Sequence, residues 1–421
     1  MRAVRMWIKN DGGYWVPVML LIVGFFSLFS RGTPWQGEWV WTVDWANGIT
    51  ILTGPLLAGV VAYHTQRTAR KDWNPISYTA IRPGLPILHQ AIADWMVASA
   101  CHLIVLLVAL TMTAATRPSS TFSPALLMLG PIVLLAFAAV GALSGLLIRS
   151  IASAPLSAIV AFALTYLGAT GAIPALFRVG GSTGSLVGLT ANTYVNLAIA
   201  AFSLCFSVVI ATVVVIARAP IVRLTWVALG TVGMVIAASS YVALKSEGGE
   251  RYVLSKTPIE YVCKGAVPGV CMASGTTRQL DNLATSMQKQ AQVLTSLGIR
   301  LPANFYQEVP NHRPDPHQGL IIMATDAVNA SDPNPSDVAD YLSLPAACQE
   351  YYDGGTPPEI PLQARAIVAD LIRSKNGLQP FMLGTDQLSS EWMKSDRVDP
   401  WLKSTYVSLE SCELDALHLP F

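Results

Sequence analysis

The 421-residue chain is 52% hydrophobic and only 13% charged. Soluble domains carry about 25% charged residues, so a chain lying wholly in water is excluded. Its net charge of +1 hides an asymmetry: residues 1–244 hold thirteen Lys/Arg against five acids, a net of +8, which leaves fourteen basic and twenty-one acidic residues, a net of −7, from 245 on. Two parts with different surroundings are implied. The basic residues of the first part stand singly between apolar runs, which excludes a nucleic-acid patch.

Met1 to Gly13 is short and basic, and Tyr14 to Ser30 is apolar. No small-x-small cleavage site follows that run and more apolar runs come later, so a retained anchor is predicted rather than a signal peptide. Thr33 to Trp45 holds Trp35, Trp39, Trp41 and Trp45, the composition of a loop at the lipid–water interface. Further spans are predicted at 47–63, 94–115, 124–148, 154–173, 194–217 and 224–244, making seven with 14–30. Each is long enough, at roughly 17–25 residues, to cross a hydrocarbon core of ~30 Å. A polar segment from His64 to Ala93, cut by Pro75, Pro83 and Pro86, separates the second span from the third. The Gly180–Gly188 loop reads as a flexible connector. Within the spans only His102 stands out as ionisable, and a packing role is predicted for it; no proton pathway is visible.

With Met1 in the cytoplasm, the inside segments hold Arg2, Arg5, Lys9, Arg67, Arg70, Lys71, Arg82, Arg149, Arg218 and Arg223, and the outside loops hold Arg31, Arg117 and Arg178. Ten against three follows the positive-inside rule and places residues 245–421 outside the cytoplasm. The fold class expected is an α-helical polytopic membrane protein of seven transmembrane helices (1–244) with a C-terminal extracytoplasmic α+β domain (245–421). Cysteine usage points the same way. Cys101 and Cys205 are isolated within spans, where a thiol behaves as a small apolar group. Cys263, Cys271, Cys348 and Cys412 form an even set in the tail, which suits two disulfides in an exported domain. Three connectivities are possible, and Cys263–Cys271 with Cys348–Cys412 is favoured; the absence of any CxxC weighs against zinc.

In the tail, Thr277–Leu297 is amphipathic at helical period and Gly298 suits a C-cap. Leu320–Ala324 reads as a strand, and Pro335–Tyr351 and Leu362–Lys375 as helices, with Asn376-Gly377 ending the second. Another helix is expected to begin within Leu388–Lys394. No GxxxxGK phosphate loop, HExxH or GxSxG occurs. His312, Asp315 and His317 stand in a proline-stiffened HRPDPH loop, read as solvated rather than as an acid–base or metal pair. Asp326, Asp332, Asp337 and Asp340 read as turn and cap residues, and His418 has no partner nearby in sequence. No catalytic, cofactor-binding or metal residue is therefore assigned, and no enzyme activity is expected.

The segment Thr65 to Trp95, TQRTARKDWNPISYTAIRPGLPILHQAIADW, is basic, interrupted by proline and set between the second and third spans. With the basic N-terminus and first span it resembles the type 2 ABC-exporter permeases, over roughly the first 220 residues. In that family the corresponding segment docks a cytoplasmic ATPase. The resemblance implies a docking surface at Arg67, Arg70, Lys71, Asp72 and Arg82. It also implies an ABC ATPase partner, pairing as a homodimer or heterodimer of permeases, and a place in the lipid bilayer of the cell membrane. The tail around Cys263 and VPGVCMA looks like an exported domain appended to permease-like proteins of actinobacteria. A seventh span and a large external tail depart from the family's six spans with both ends inside. Three functions are therefore weighed: the membrane subunit of an ATP-driven exporter, a membrane-anchored extracytoplasmic ligand-binding or sensing protein, and an enzyme built around His312, His317 or His418.

Overall fold

Apolar stretches near twenty residues long fold as helices because a helix satisfies its own backbone where no water reaches. A computed structural model describes residues 14–69, 84–116, 124–148, 150–182, 184–217, 224–246, 250–310, 315, 317–323, 333–346, 359–381, 392 and 395–420. The chain divides into two compact units: the apolar helices up to Val253 form one, and Leu254 onward, together with Gly184–Leu189, forms the other.

The first unit contains α1 (Trp15–Phe29), α2 (Trp39–Gly48), α3 (Thr50–Ala69), α4 (Leu85–Ala115), α5 (Leu129–Leu147, after a 3-10 turn from Pro124), α6 (Ser153–Ala169), α7 (Thr193–Ile216) and α8 (Leu224–Ser246). Helices α2 and α3 form one 31-residue run. Among the described residues, five helices are long and apolar enough to cross a membrane: Trp39–Ala69, Leu85–Ala115, Pro124–Leu147, Thr193–Ile216 and Thr225–Lys245. Helices α1 and α6 are shorter, at 15 and 17 residues. Each nonetheless has one packed face and one exposed apolar face. On α1, Leu20, Gly24 and Leu28 are buried, while Trp15, Ile22 and Phe26 are exposed. On α6, Ser153, Ser157, Ala161 and Thr165 form a buried stripe of small residues opposite exposed Ile159, Phe162 and Tyr166. Two short strands, β1 (Leu189–Ala191) and β2 (Tyr252–Leu254), pair with one another.

Neighbouring helices run in alternating directions between two ends of this unit. At one end, Thr42 of α2 meets Thr113 of α4 at 2.6 Å, Asn47 donates to the Leu126 carbonyl before α5, and Trp45 donates to the Leu28 carbonyl of α1. At the other, Ala69, Ile87, Leu146, Ile210 and Val214 cluster from α3, α4, α5 and α7. Close approach of α5 to α3 depends on Gly141 and Gly145, about one turn apart, where an added Cβ would lie 2.4 Å from the Ala58 and Ala62 carbonyl oxygens. This spacing of small residues lets helix backbones meet in lipid.

Several expectations are corrected. The Trp-rich segment is not an interfacial loop. Its second half is helix α2, and Trp35, Trp41 and Trp45 are buried. The latter two are accommodated because their indole N–H groups donate to backbone carbonyls. The polar segment between the second and third spans is shorter than expected, since α3 continues to Ala69 and α4 begins at Leu85. Pro86 sits in the first turn of α4, where its missing N–H costs nothing.

In the second unit, β3 (Tyr261–Lys264), β4 (Gly269–Ala273), β5 (Asn304–Gln307) and β6 (Gly319–Ile321) form a sheet in that order. Strands β3 and β4 are an antiparallel hairpin that sets Cys263 opposite Cys271, whereas β4–β5 and β5–β6 are parallel. Parallel neighbours need a crossover, supplied between β4 and β5 by α9 (Leu280–Ser296). Helices α10 (Pro335–Leu342), α11 (Glu359–Lys375) and α12 (Val398–Glu410) complete a core that includes Met272, Met287, Phe305, Val368, Leu402 and Tyr406. Gly298 and Gly377 take positive φ after α9 and α11, as expected of C-terminal caps. Helix α10 ends at Leu342, not Tyr351, as Ser343 caps it. The start expected within Leu388–Lys394 lies outside the described residues apart from Trp392, and the helix described in this region, α12, begins at Val398.

Replacing Gly141 by Leu is expected to force α5 off α3 and to cost about 1–3 kcal/mol or more. A lower unfolding temperature of the detergent-purified protein checks this. Leu143→Ile, a change of shape at a half-buried position two residues away, serves as the control and should move that temperature little.

Candidate functional site

Among the described residues of the helical unit three carboxylates are buried, Glu38, Asp44 and Asp94, and the last two lie toward its opposite ends. Asp44 and Asp94 are both 0% exposed. Ionised groups are expensive at such depth unless paired, and those that persist between apolar helices mark function by default.

At one end, Asp94 of α4 faces His64 of α3. The His64 Nδ1 lies 3.0 and 3.2 Å from the two carboxylate oxygens, and Gln90 donates to Asp94 at 3.3 Å. His64 lies five residues before the end of α3 and Asp94 nine after the start of α4. The pair thus joins the two helices that enter and leave segment 70–83. Arg67 lies in the last turn of α3, its guanidinium 5.5 Å from the Tyr63 ring centroid. Farther along α4, His102 Nε2 lies 3.2 Å from Asn47 Oδ1. An added Cβ at Gly130 would come 2.4 Å from that nitrogen, so α5 can pass only because the position is glycine.

At the other end, Asp44 gathers four segments. Arg251 Nη1 approaches Oδ1 at 2.9 Å, the Tyr252 hydroxyl donates to the same oxygen at 2.7 Å, and the Ser182 N–H donates to Oδ2 at 2.7 Å. The Asp44 carbonyl accepts from Gly181 N–H at 3.2 Å, and Trp41 donates back to the Ser182 carbonyl. Asn192 N–H and Asn196 Nδ2 at the start of α7 donate to the Arg251 carbonyl. Burial is the largest cause raising the Tyr252 pKa well above that of an ordinary tyrosine, with the Asp44 charge acting in the same direction.

The Gly-rich connector is thus not a free loop over 180–182. A Cβ on Gly180 would lie 2.1 Å from the Asp44 carbonyl oxygen and from Gly48 N. The residues before it pack inward: Leu176, Phe177 and Val179 are buried, and the Phe177 ring meets Phe137, Phe202 and Phe206 at centroid distances of 5.4, 6.0 and 6.0 Å. Non-helical backbone at such depth is tolerated where protein surrounds it.

Of the expected docking residues, Arg67 is placed one turn beyond His64 on α3, while Arg70, Lys71, Asp72 and Arg82 lie outside the described residues. Cys263 and Cys271 are joined with their Cα atoms 4.0 Å apart. Cys412 is also disulfide-bonded; Cys348, the partner expected for it, lies outside the described residues. Asp315, His317 and His418 are exposed, and the His418 carbonyl accepts from Trp401. His312, Asp326 and Asp332 lie outside the described residues. Asp337 contacts Asn334, the cap of α10, and Asp340 pairs with Arg373. Among the described residues, no three His, Cys, Asp or Glu are grouped to hold a metal ion.

The expectation that His102 alone is ionisable within the spans is overturned by His64 and Asp94. His64 stood just past the edge expected for the second span and Asp94 at the edge expected for the third, and both are inside helices that end at Ala69 and begin at Leu85. Compared with family models, curated proteins and solved structures, the chain gives no match, so its own residues carry the functional reading.

Removing either member of the His64–Asp94 pair is expected to be costly. Asp94→Leu should destabilise by about 3–5 kcal/mol, because a buried partner is stranded. The double variant His64→Leu/Asp94→Leu should cost less than the sum of the singles, which thermal unfolding of the four proteins measures. Tyr252 supplies a pH test. A tyrosine whose folded pKa is raised contributes stability that is intact below the unfolded value of about 10 and is lost as pH rises beyond it. Stability measured at increasing pH above that value should fall less steeply in Tyr252→Phe than in the parent.

Proposed function

We propose that the chain is the membrane subunit of an ATP-driven, ABC-type exporter. In this reading it crosses the bilayer seven times and carries the residues from 245 on outside the cytoplasm. The observation that carries the proposal is the pair of 31-residue helical runs flanking segment 70–83, tied together by His64 and Asp94. At 1.5 Å per residue each run is about 46 Å long, well beyond a hydrocarbon core of ~30 Å. Two helices that overrun the bilayer and are clamped near their ends act as a lever. A push on the segment between them moves both together.

Charge supports seven crossings over five. If only the five longest helices crossed, the basic residues of 1–244 would divide seven inside (Arg2, Arg5, Lys9, Arg31, Arg117, Arg218, Arg223) and six outside, with no bias. Seven crossings restore ten against three. The alternation of α1 to α8 and the exposed apolar faces of α1 and α6 agree with that count. The Cys263–Cys271 disulfide supports an oxidising compartment for the tail. Transport would need an ATPase from a partner chain, with two permeases side by side.

The protein is expected to co-purify with an ATPase bearing a nucleotide-binding phosphate loop. The triple variant Arg67→Glu/Arg70→Glu/Lys71→Glu should lose that partner while a tag on Phe421 stays accessible to antibody on intact cells. Purification free of any ATPase, with the tail binding a cell-surface ligand, would instead support a membrane-anchored ligand-binding protein.

A further inference from the structure

The Asp44 cluster does more than the lever requires. It joins α2, segment 180–182, the start of α7 and the first residues after α8, all through one carboxylate and the Arg251 backbone. Apolar side chains of similar size would hold these segments together at least as firmly, since a buried ion pair returns little net stability over a packed hydrophobic core. What an ion pair adds is direction and an all-or-none character. It is made with full geometry, or it is broken and leaves charge stranded in a dry site.

Segment 180–182 continues directly from residues that pack inside the helical unit. Phe177 reaches Phe202 and Phe206, which lie about 14 and 20 Å along α7 from its first residue at 1.5 Å per residue. Segment 174–179 therefore descends well below the end where Asp44 holds residues 181 and 182. It has no regular backbone ladder of its own. Its seat is fixed by the Phe177 ring contacts inside and by Asp44 at the rim. Two glycines, Gly180 and Gly181, link these two anchor points, and Gly181 takes a φ of +84°.

We propose that Asp44, Arg251 and Tyr252 form a lock that keeps the Phe177 segment seated, and that the key to it is the chain leaving the last span. Arg251 and Tyr252 follow α8 closely, so tension or rotation arriving from the C-terminal side acts directly on the carboxylate. Withdrawal of Arg251 leaves the Asp44 charge unbalanced, its bonds to Ser182 and Tyr252 no longer suffice, and the segment is freed to rise. A ligand or partner that repositions the tail thereby controls access to the interior from this end. The inference rests on the transport reading for its purpose, but the lock stands or falls on its own measurement.

The test uses the full-length protein in intact cells, with Cys101→Ala and Cys205→Ala to remove the two free thiols among the described residues. A reporter, Ser203→Cys, replaces a fully buried residue next to Phe202 on α7 and leaves the Phe177 ring contacts in place, and the same background without the reporter gives the baseline. Labelling by a membrane-impermeant maleimide should be slow with the reporter alone. It should become faster by about tenfold or more in Asp44→Asn and in Arg251→Met, because access follows the population of the opened state. Arg251→Lys, which keeps the charge, should stay near the slow rate. Equal rates in all four reporter proteins would overturn the lock, as would fast labelling of Arg251→Lys to the same degree as Arg251→Met. Reaction only after the cells are permeabilised would put this end in the cytoplasm and overturn the orientation of the transport reading, while the same comparison of rates in permeabilised cells would still decide the lock. Should Asp44→Asn fail to accumulate, Arg251→Met and Arg251→Lys decide the matter between them. Loss of the ATPase partner with the labelling pattern intact would remove the exporter reading and leave the lock; an unchanged partner with equal labelling would remove the lock alone.

Discussion

Burying Asp44 in an apolar helical unit is the constraint to which its surroundings are fitted. A carboxylate with no exposure cannot rely on water, so it needs opposite charge and donors at close range. Arg251 supplies the charge, and Tyr252 and Ser182 supply donors. Each comes from a distant part of the chain, so satisfying one side chain closes loops of 138 and 208 residues. Close approach then follows. The backbone of Gly180 lies against Asp44 and Gly48 where any Cβ would collide, and the indole of Trp41 is turned to the Ser182 carbonyl.

The other end of the same helical run shows the same logic with a different partner. His64 and Asp94 are each buried, and each answers the other. Between the ends the contacts change character. Glycines and alanines bring backbones together, and dispersion over short distances replaces charge. Polar pairs at the ends and small residues in the middle give a unit that is directional where it meets other segments and closely packed where helix meets helix.

The second unit solves a different problem. A small mixed sheet has little area of its own, so its strand β4 is buried along its whole length and helices α9, α11 and α12 cover the apolar residues. A charged group is retained here too. Arg373, almost fully buried, is held by Asp370 and Asp340 and by the Ser336 carbonyl. It ties α11 to α10 through groups that need fixed geometry. The disulfide across β3 and β4 secures the hairpin at the sheet's edge, where pairing is otherwise one-sided.

The sequence by itself determined that most of residues 14–246 form apolar helices and that a polar, cysteine-containing part follows. Hydrophobic run length is a local property, set by what a backbone needs away from water. It also favoured the Cys263–Cys271 link among three possible connectivities, since a separation of eight residues makes a short loop that costs little entropy to close. Helix ends were less legible. Proline and charge near 64–93 read as loop, although α3 and α4 carry His64 and Asp94 inside them, because a charge's cost depends on whether a partner meets it. Only the tertiary structure could pair Asp44 with Arg251, or seat Gly180 against Gly48. Those partners lie far apart along the chain, and no local pattern records which buried charge will be answered by which distant residue.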